Sequence, residues 1–144
     1  MIEIFAIFKS SIFTTALQPF LRDNGIDIVS SCNNSSLALG HYKAVNPDIV
    51  MMDLNWCDTN YSVSGNSLIA QLRQEDPRVR IIGVTNFFDA RTISSLKDQS
   101  VQGYFYRCMD NLLEGVKECV EKVYEGEGFY AKAVVDQFAT KIGY

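Results

Sequence analysis

An open α/β fold, doubly wound around a five-stranded parallel sheet, is the architecture this sequence predicts. Three observations predict it. Short apolar runs of strand length alternate five times with segments of helical period along residues 1–125. The third run, residues 49–52 (IVMM), is apolar without interruption, as a strand covered on both faces must be. Strand and helix signals strictly alternate, which calls for right-handed crossovers and a parallel sheet.

Each element has its own reason. Residues 2–8 (IEIFAIF) form the first strand-like run. Ile12, Phe13, Ala16, Leu17, Phe20 and Leu21 then recur along one helical face, with Pro19 expected to kink the helix or shift its start. Asp23-Asn24-Gly25 stops it, and residues 26–30 make the second strand. Ser35 or Ser36 caps a helix that Asn46-Pro47 ends near Val45. After the third strand a polar stretch runs from residue 55 to 66, followed by a helix near residues 67–74. Residues 80–84 form the fourth strand, Asp89 caps a helix carrying Ile93 and Leu96, and residues 103–106 (GYFY) form the fifth strand. An amphipathic helix covers about residues 111–125, with Leu112, Leu113, Val116, Val120 and Val123 on its face. Val134, Val135, Phe138 and Ile142 share a face in a further short helix, a connector outside the fivefold alternation.

Composition narrows the function classes. The 144 residues are 47% hydrophobic, enough to bury a core, and the net charge of −4 argues against direct nucleic-acid binding. No apolar run is long enough for a transmembrane helix, and residues 1–11 lack the basic start of a signal peptide, so a cytoplasmic location is expected. The four cysteines form no C-x-x-C pair and His41 has no ligand-like neighbour, so no zinc site is expected.

In an open parallel sheet, function gathers at the carboxyl ends of the strands. Those ends read Phe8-Lys9, Asp53, Thr85 and Arg107. With the stretches PDIVMMDLN (residues 47–55), RIIGVT (80–85) and GYFYR (103–107), the chain resembles the receiver domain of bacterial two-component response regulators, a flavodoxin-like (βα)5 fold. The tail from GEGFYA resembles the linker helix of the LuxR/NarL-type subfamily. The resemblance implies a receiver over residues 1–125 and, over 126–144, a linker helix towards a helix-turn-helix output domain that this sequence does not contain. It places Asp53 at the phosphoacceptor position, Thr85 and Tyr104 at the switch positions, and Arg107 where the family has lysine. Asn55 falls where a backbone carbonyl would reach the metal.

The departures shape the functional expectation. The family's acidic metal-binding pair falls on Phe8 and Lys9, and no carboxylate occurs between Glu3 and Asp23. Mg²⁺ needs oxygen ligands and negative charge, so neither a metal nor another cofactor is expected, and no residue is assigned as catalytic. Arg107 exchanges a compact ammonium for a planar fork. Two cations and one carboxylate map to one cleft, which predicts an ion pair between Asp53 and Lys9 with Arg107 nearby. Without metal-dependent phosphorylation, Thr85 reads as a strand-end hydroxyl and Tyr104 as a packed ring before either reads as an active switch. The loop after Asp53 is long and carries Trp56 and Tyr61, either a partner-binding pair or a plug over the sheet end, with Cys57 and Asp58 between them.

The expected function is an atypical receiver controlling transcription, not itself an enzyme. Dimerisation, a protein partner or a ligand would switch it in place of Mg²⁺-dependent phosphorylation. Expected partners are a second copy, and a histidine kinase or another regulator; DNA would be reached only through the output domain. One alternative is a working receiver phosphorylated on Asp53. Others are a stand-alone adaptor and a flavodoxin-like small-molecule binder, the last resting on Ser10 and Ser11 at a helix start, where there is no glycine-rich loop.

Overall fold

The computed structural model describes residues 1–55, 65–87 and 90–131, with the side chains of 65–67 not described. Strands β1 (Ile2–Ile7), β2 (Ile26–Cys32), β3 (Ile49–Asp53), β4 (Ile81–Thr85) and β5 (Gly103–Tyr106) alternate with five helices. These are α1 (Ile12–Asp23), α2 (Ala38–Val45), α3 (Gly65–Glu75), α4 (Ala90–Asp98) and α5 (Leu112–Tyr124). A 3-10 turn, Ser35–Leu37, leads into α2, capped by the Asn34 side chain and not by Ser35 or Ser36. The strand order is β2-β1-β3-β4-β5, and every pairing is parallel. The chain winds outward from β1 to β2 and then returns to β3 on the other side of β1. The topological switch point therefore lies between β1 and β3, where ligand sites gather in such sheets.

The core follows from the apolar runs. All five residues of β3, all five of β4 and all four of β5 are buried. α1 and α5 touch each other on one face of the sheet, and α2 and α3 touch on the other. Each fully buried Leu, Ile or Val side chain contributes about 1.5–3 kcal/mol relative to exposure. Three expected face positions, Ile12, Ala16 and Leu113, are exposed instead, Ala16 at the border of the buried face of α1. Ile12 is 79% exposed and Leu113 is 42% exposed, because each lies in the first turn of its helix, past the end of the sheet. Pro19 neither ends nor delays α1. It removes one intrahelical donor, and Thr15, whose carbonyl loses that donor, is exposed to water.

The sheet has one strand more than the five expected. After α5, Gly126 adopts φ +89°, a turn that suits glycine, and brings the chain back to the β5 edge. There Phe129–Tyr130 forms β6, parallel to β5. A two-residue strand carries no periodicity, so the apolar pattern could not announce it. The residues expected to form the linker helix face, Val134, Val135, Phe138 and Ile142, lie outside the described residues.

Candidate functional site

The carboxyl ends of β3, β4 and β5 converge on Asp53. This residue closes β3 and is only 7% exposed. Its Oδ1 accepts the backbone N–H of Asn55 at 3.1 Å, and its Oδ2 lies 3.0 Å from Nη2 of Arg107. Arg107 comes straight off β5, and its own N–H donates to the Thr85 carbonyl at 2.9 Å. Backbone pairing to the end of β4 therefore aims the guanidinium at the end of β3.

Two aromatic rings hold the other side of that guanidinium. Its central carbon lies 4.6 Å from the ring centre of Phe13 and 5.4 Å from that of Phe8. The two rings pack on each other with centres 5.8 Å apart, and Phe13 packs on Phe105 at 6.3 Å. Aromatic faces attract cations, and more strongly where water is excluded. A planar guanidinium can stack on a ring while its edge binds a carboxylate, which a lysine ammonium cannot do as well. The two departures, Phe8 for an acid and Arg107 for lysine, thus fit each other. Nε of Arg107 is buried and has no hydrogen-bond partner among the described residues.

The expected Asp53–Lys9 ion pair is not formed, and this is a correction. Lys9 is exposed and makes no ion pair or hydrogen bond among the described residues. Consecutive residues leaving β1 point to opposite sides. Phe8 turns inward, and Lys9 turns out to line an open cavity of about 560 Å³ with Ser10, Ser11, Asn34 and His41. Arg107 takes the place at Asp53 that the charge pattern gives to Lys9.

Thr85 ends β4 and is 2% exposed. Its hydroxyl donates to the Phe87 carbonyl at 2.8 Å and accepts from the hydroxyl of Tyr104, whose ring is fully buried. The two switch candidates are therefore bonded to each other, with Tyr104 turned inward. Asn55 acts through its side chain, its Oδ1 accepting the Asn86 N–H at 2.7 Å and tying the β3 loop to the β4 loop. Trp56, Cys57, Asp58 and Tyr61 lie outside the described residues.

Two participants are not marked by the sequence pattern. Periodicity assigns Phe13 only to a helical face, although its place five residues after Phe8 brings it back over the strand end. Tyr130 carries no signal of a role. Its ring stacks on Tyr104 with centres 5.8 Å apart, and burial pushes its phenol pKa up to about 12. Burial first, and the nearby Asp110 carboxylate second, also raise that of Tyr106.

A divalent metal does not fit the residues present. The positions that would supply its acids hold Phe8 and Lys9, and Asp53 already faces Arg107. Among the described residues, no group of three or more His, Cys, Asp or Glu side chains is placed to hold a metal ion. Nor is any described helix long and apolar enough to cross a membrane.

An acid, a hydroxyl and a cation at the ends of successive strands of a five-fold βα sheet define a receiver, a signalling domain. The family model of the response regulator receiver domain matches residues 8–117, and the chain belongs to that family. It is 28% identical over 93 residues to the transcriptional regulatory protein LnrK of Bacillus subtilis (strain 168), covering 63% of this chain and 40% of that protein. It is 24% identical over 82 residues to the chemotaxis protein CheY of Listeria monocytogenes, covering 57% of this chain and 66% of that one. The chain thus spans less than half the length of LnrK. Among solved structures, its fold matches a LuxR-family two-component response regulator from Aurantimonas sp. SI85-9A1 at a TM-score of 0.81, with 20% identity over 99% of this chain and 98% of that one. It also matches the isolated receiver domain of RcsB from Salmonella enterica serovar Typhimurium at 0.81, with 14% identity over 94% and 96% of the two chains.

Proposed function

We propose that this chain is the receiver of a transcription regulator, switched by dimerisation, a protein partner or a ligand and not by Mg²⁺-dependent phosphorylation of Asp53. One observation carries the reading. Arg107 is bonded to Asp53 and backed by Phe8 and Phe13, so a resident cation occupies the place where metal and phosphoryl group would have to meet. Phosphoryl transfer needs the negative charge on the equatorial oxygens neutralised, largely by the metal, and an open line of attack on the phosphorus. Here no acid pair holds a metal to supply that charge, and the carboxylate that would attack is already engaged by Arg107. The inward Tyr104 bonded to Thr85 supports a domain kept in one switch conformation without a phosphoryl group.

On this reading the domain is a signalling module and not an enzyme, works in the cytoplasm and needs no metal or other cofactor. It pairs with a second copy or another regulator. Any contact with DNA is made by an output domain outside this chain, since its own charge is −4. The solved structure of two RcsB dimers bound to two parallel DNAs, whose fold this chain shares at a TM-score of 0.81, supports that placing.

The test is intact-mass spectrometry after incubation with acetyl phosphate and Mg²⁺. The wild-type chain is expected to stay unmodified. The triple variant Phe8→Asp, Lys9→Asp, Arg107→Lys, which restores the family's acids and lysine, is expected to gain a phosphoryl adduct on Asp53. A stoichiometric adduct on the wild-type chain would overturn the reading in favour of an ordinary phosphoacceptor receiver.

A further inference from the structure

We propose that β6 is a latch through which Thr85 controls the segment that follows the receiver, with Tyr104 and Tyr130 as its two moving parts. The hydrogen-bond directions are fixed by chemistry. The Phe87 carbonyl can only accept, so the Thr85 hydroxyl donates to it, and the Tyr104 hydroxyl must then donate to Thr85. This bond holds the Tyr104 ring inside the sheet, and the held ring is the surface on which Tyr130 stacks. Tyr130 is fixed at its far end by its hydroxyl, which donates to the Val101 carbonyl at 3.1 Å. The Lys97 ammonium lies 5.6 Å from the centre of the Tyr130 ring.

The backbone alone does not hold this strand. β6 is two residues long, and its ties to the β5 region are the Phe129 N–H to Gln102 carbonyl bond at 2.9 Å and the Ala131 N–H to Tyr104 carbonyl bond at 3.0 Å. A two-residue strand is shorter than the usual length of about 3–10 residues and leans on side-chain packing. Phe129 and Ala131 pack on the core beside α5, and the Tyr130 ring adds the contact to the residue whose position Thr85 sets. Losing the Thr85–Tyr104 bond frees the Tyr104 ring to turn. The stack is lost, and β6 loosens at the β5 edge. This does not depend on how Asp53 is used, since any event that reaches Thr85 acts through the same two rings.

Amide hydrogen exchange read by NMR tests the latch on the whole chain. The Phe129 and Ala131 amides report on β6, and those of Val50 and Ile82 report on the central sheet. Thr85→Val removes the hydroxyl, and Tyr104→Phe keeps the ring while removing its hydroxyl. Both are expected to lower protection at Phe129 and Ala131 by about tenfold, with Val50 and Ile82 unchanged. Thr85→Ser, which keeps the hydroxyl, is expected to retain protection. Unchanged β6 protection in Thr85→Val and Tyr104→Phe would overturn the latch. So would an equal fall at all four amides, which would mean general destabilisation.

Discussion

Asp53 and Arg107 show how one substitution makes sense only beside another. The guanidinium binds the carboxylate through Nη2 and lies against Phe13 and Phe8, so truncating any member exposes a mismatch in the others. Asp53→Ala leaves a half-buried cation without its partner and is expected to cost about 2 kcal/mol in urea unfolding, less than the roughly 3–5 kcal/mol of a fully buried pair because Arg107 keeps 29% side-chain exposure. Phe13→Leu keeps an apolar side chain but loses the aromatic face, and about 1 kcal/mol is expected there. At this scale the sequence supplied the identities at 8, 53, 85 and 107, because strand ends can be read from the apolar runs. It could not supply which cation meets Asp53. That depends on the alternation leaving β1, which sends Phe8 inward and Lys9 out.

Among the elements, β5 is tightly constrained. A Cβ at Gly103 would lie 2.8 Å from both Ile82 Cγ1 and Val123 Cγ2 and 3.1 Å from Cys119 Sγ. These neighbours come from β4 and α5, so the helix approaches the sheet closely only because this residue has no side chain. Gly103→Ala is expected to destabilise by about 1–3 kcal/mol, measured by chemical denaturation. β6 carries a pH signature as well. The Tyr130 phenol is raised from its ordinary value near 10 to about 12 when β6 is docked. The docked state therefore binds this proton more tightly than the undocked one. Its contribution is fully present below about 10 and is lost as the pH rises through about 12. β6 amide protection is expected to fall across that window, and Tyr130→Phe to remove this component of the fall. The five main strands were legible because a short apolar run bounded by turn residues, repeated between helical periods, folds as a buried strand. β6 was not, because its formation depends on one stacked ring and on the turn at Gly126.

For the whole molecule, the winding of the sheet decides where chemistry can happen. The reversal between β1 and β3 opens a crevice at their carboxyl ends, and Phe8 and Asp53 stand around it. A receiver with intact acids binds Mg²⁺ there, and a ligand that binds only the folded state raises its stability by mass action. Here millimolar Mg²⁺ is expected to leave Tm unchanged, while the triple variant with acids at 8 and 9 and lysine at 107 gains a concentration-dependent rise. Differential scanning calorimetry with and without Mg²⁺ measures both. A rise in the wild-type chain would show that a metal binds despite Arg107.

The sequence by itself determined the order of elements, the parallel sheet, the receiver family and the loss of the acidic pair. All of these rest on local residue identity and periodicity. Only the tertiary structure decided that Arg107, and not Lys9, meets Asp53, that Phe13 backs it, and that Tyr130 lies on Tyr104. These contacts join residues far apart in the chain, and their geometry is set by side-chain direction at the strand ends. A one-residue difference in alternation exchanges which of two neighbouring side chains faces the cleft, and composition carries no record of that choice.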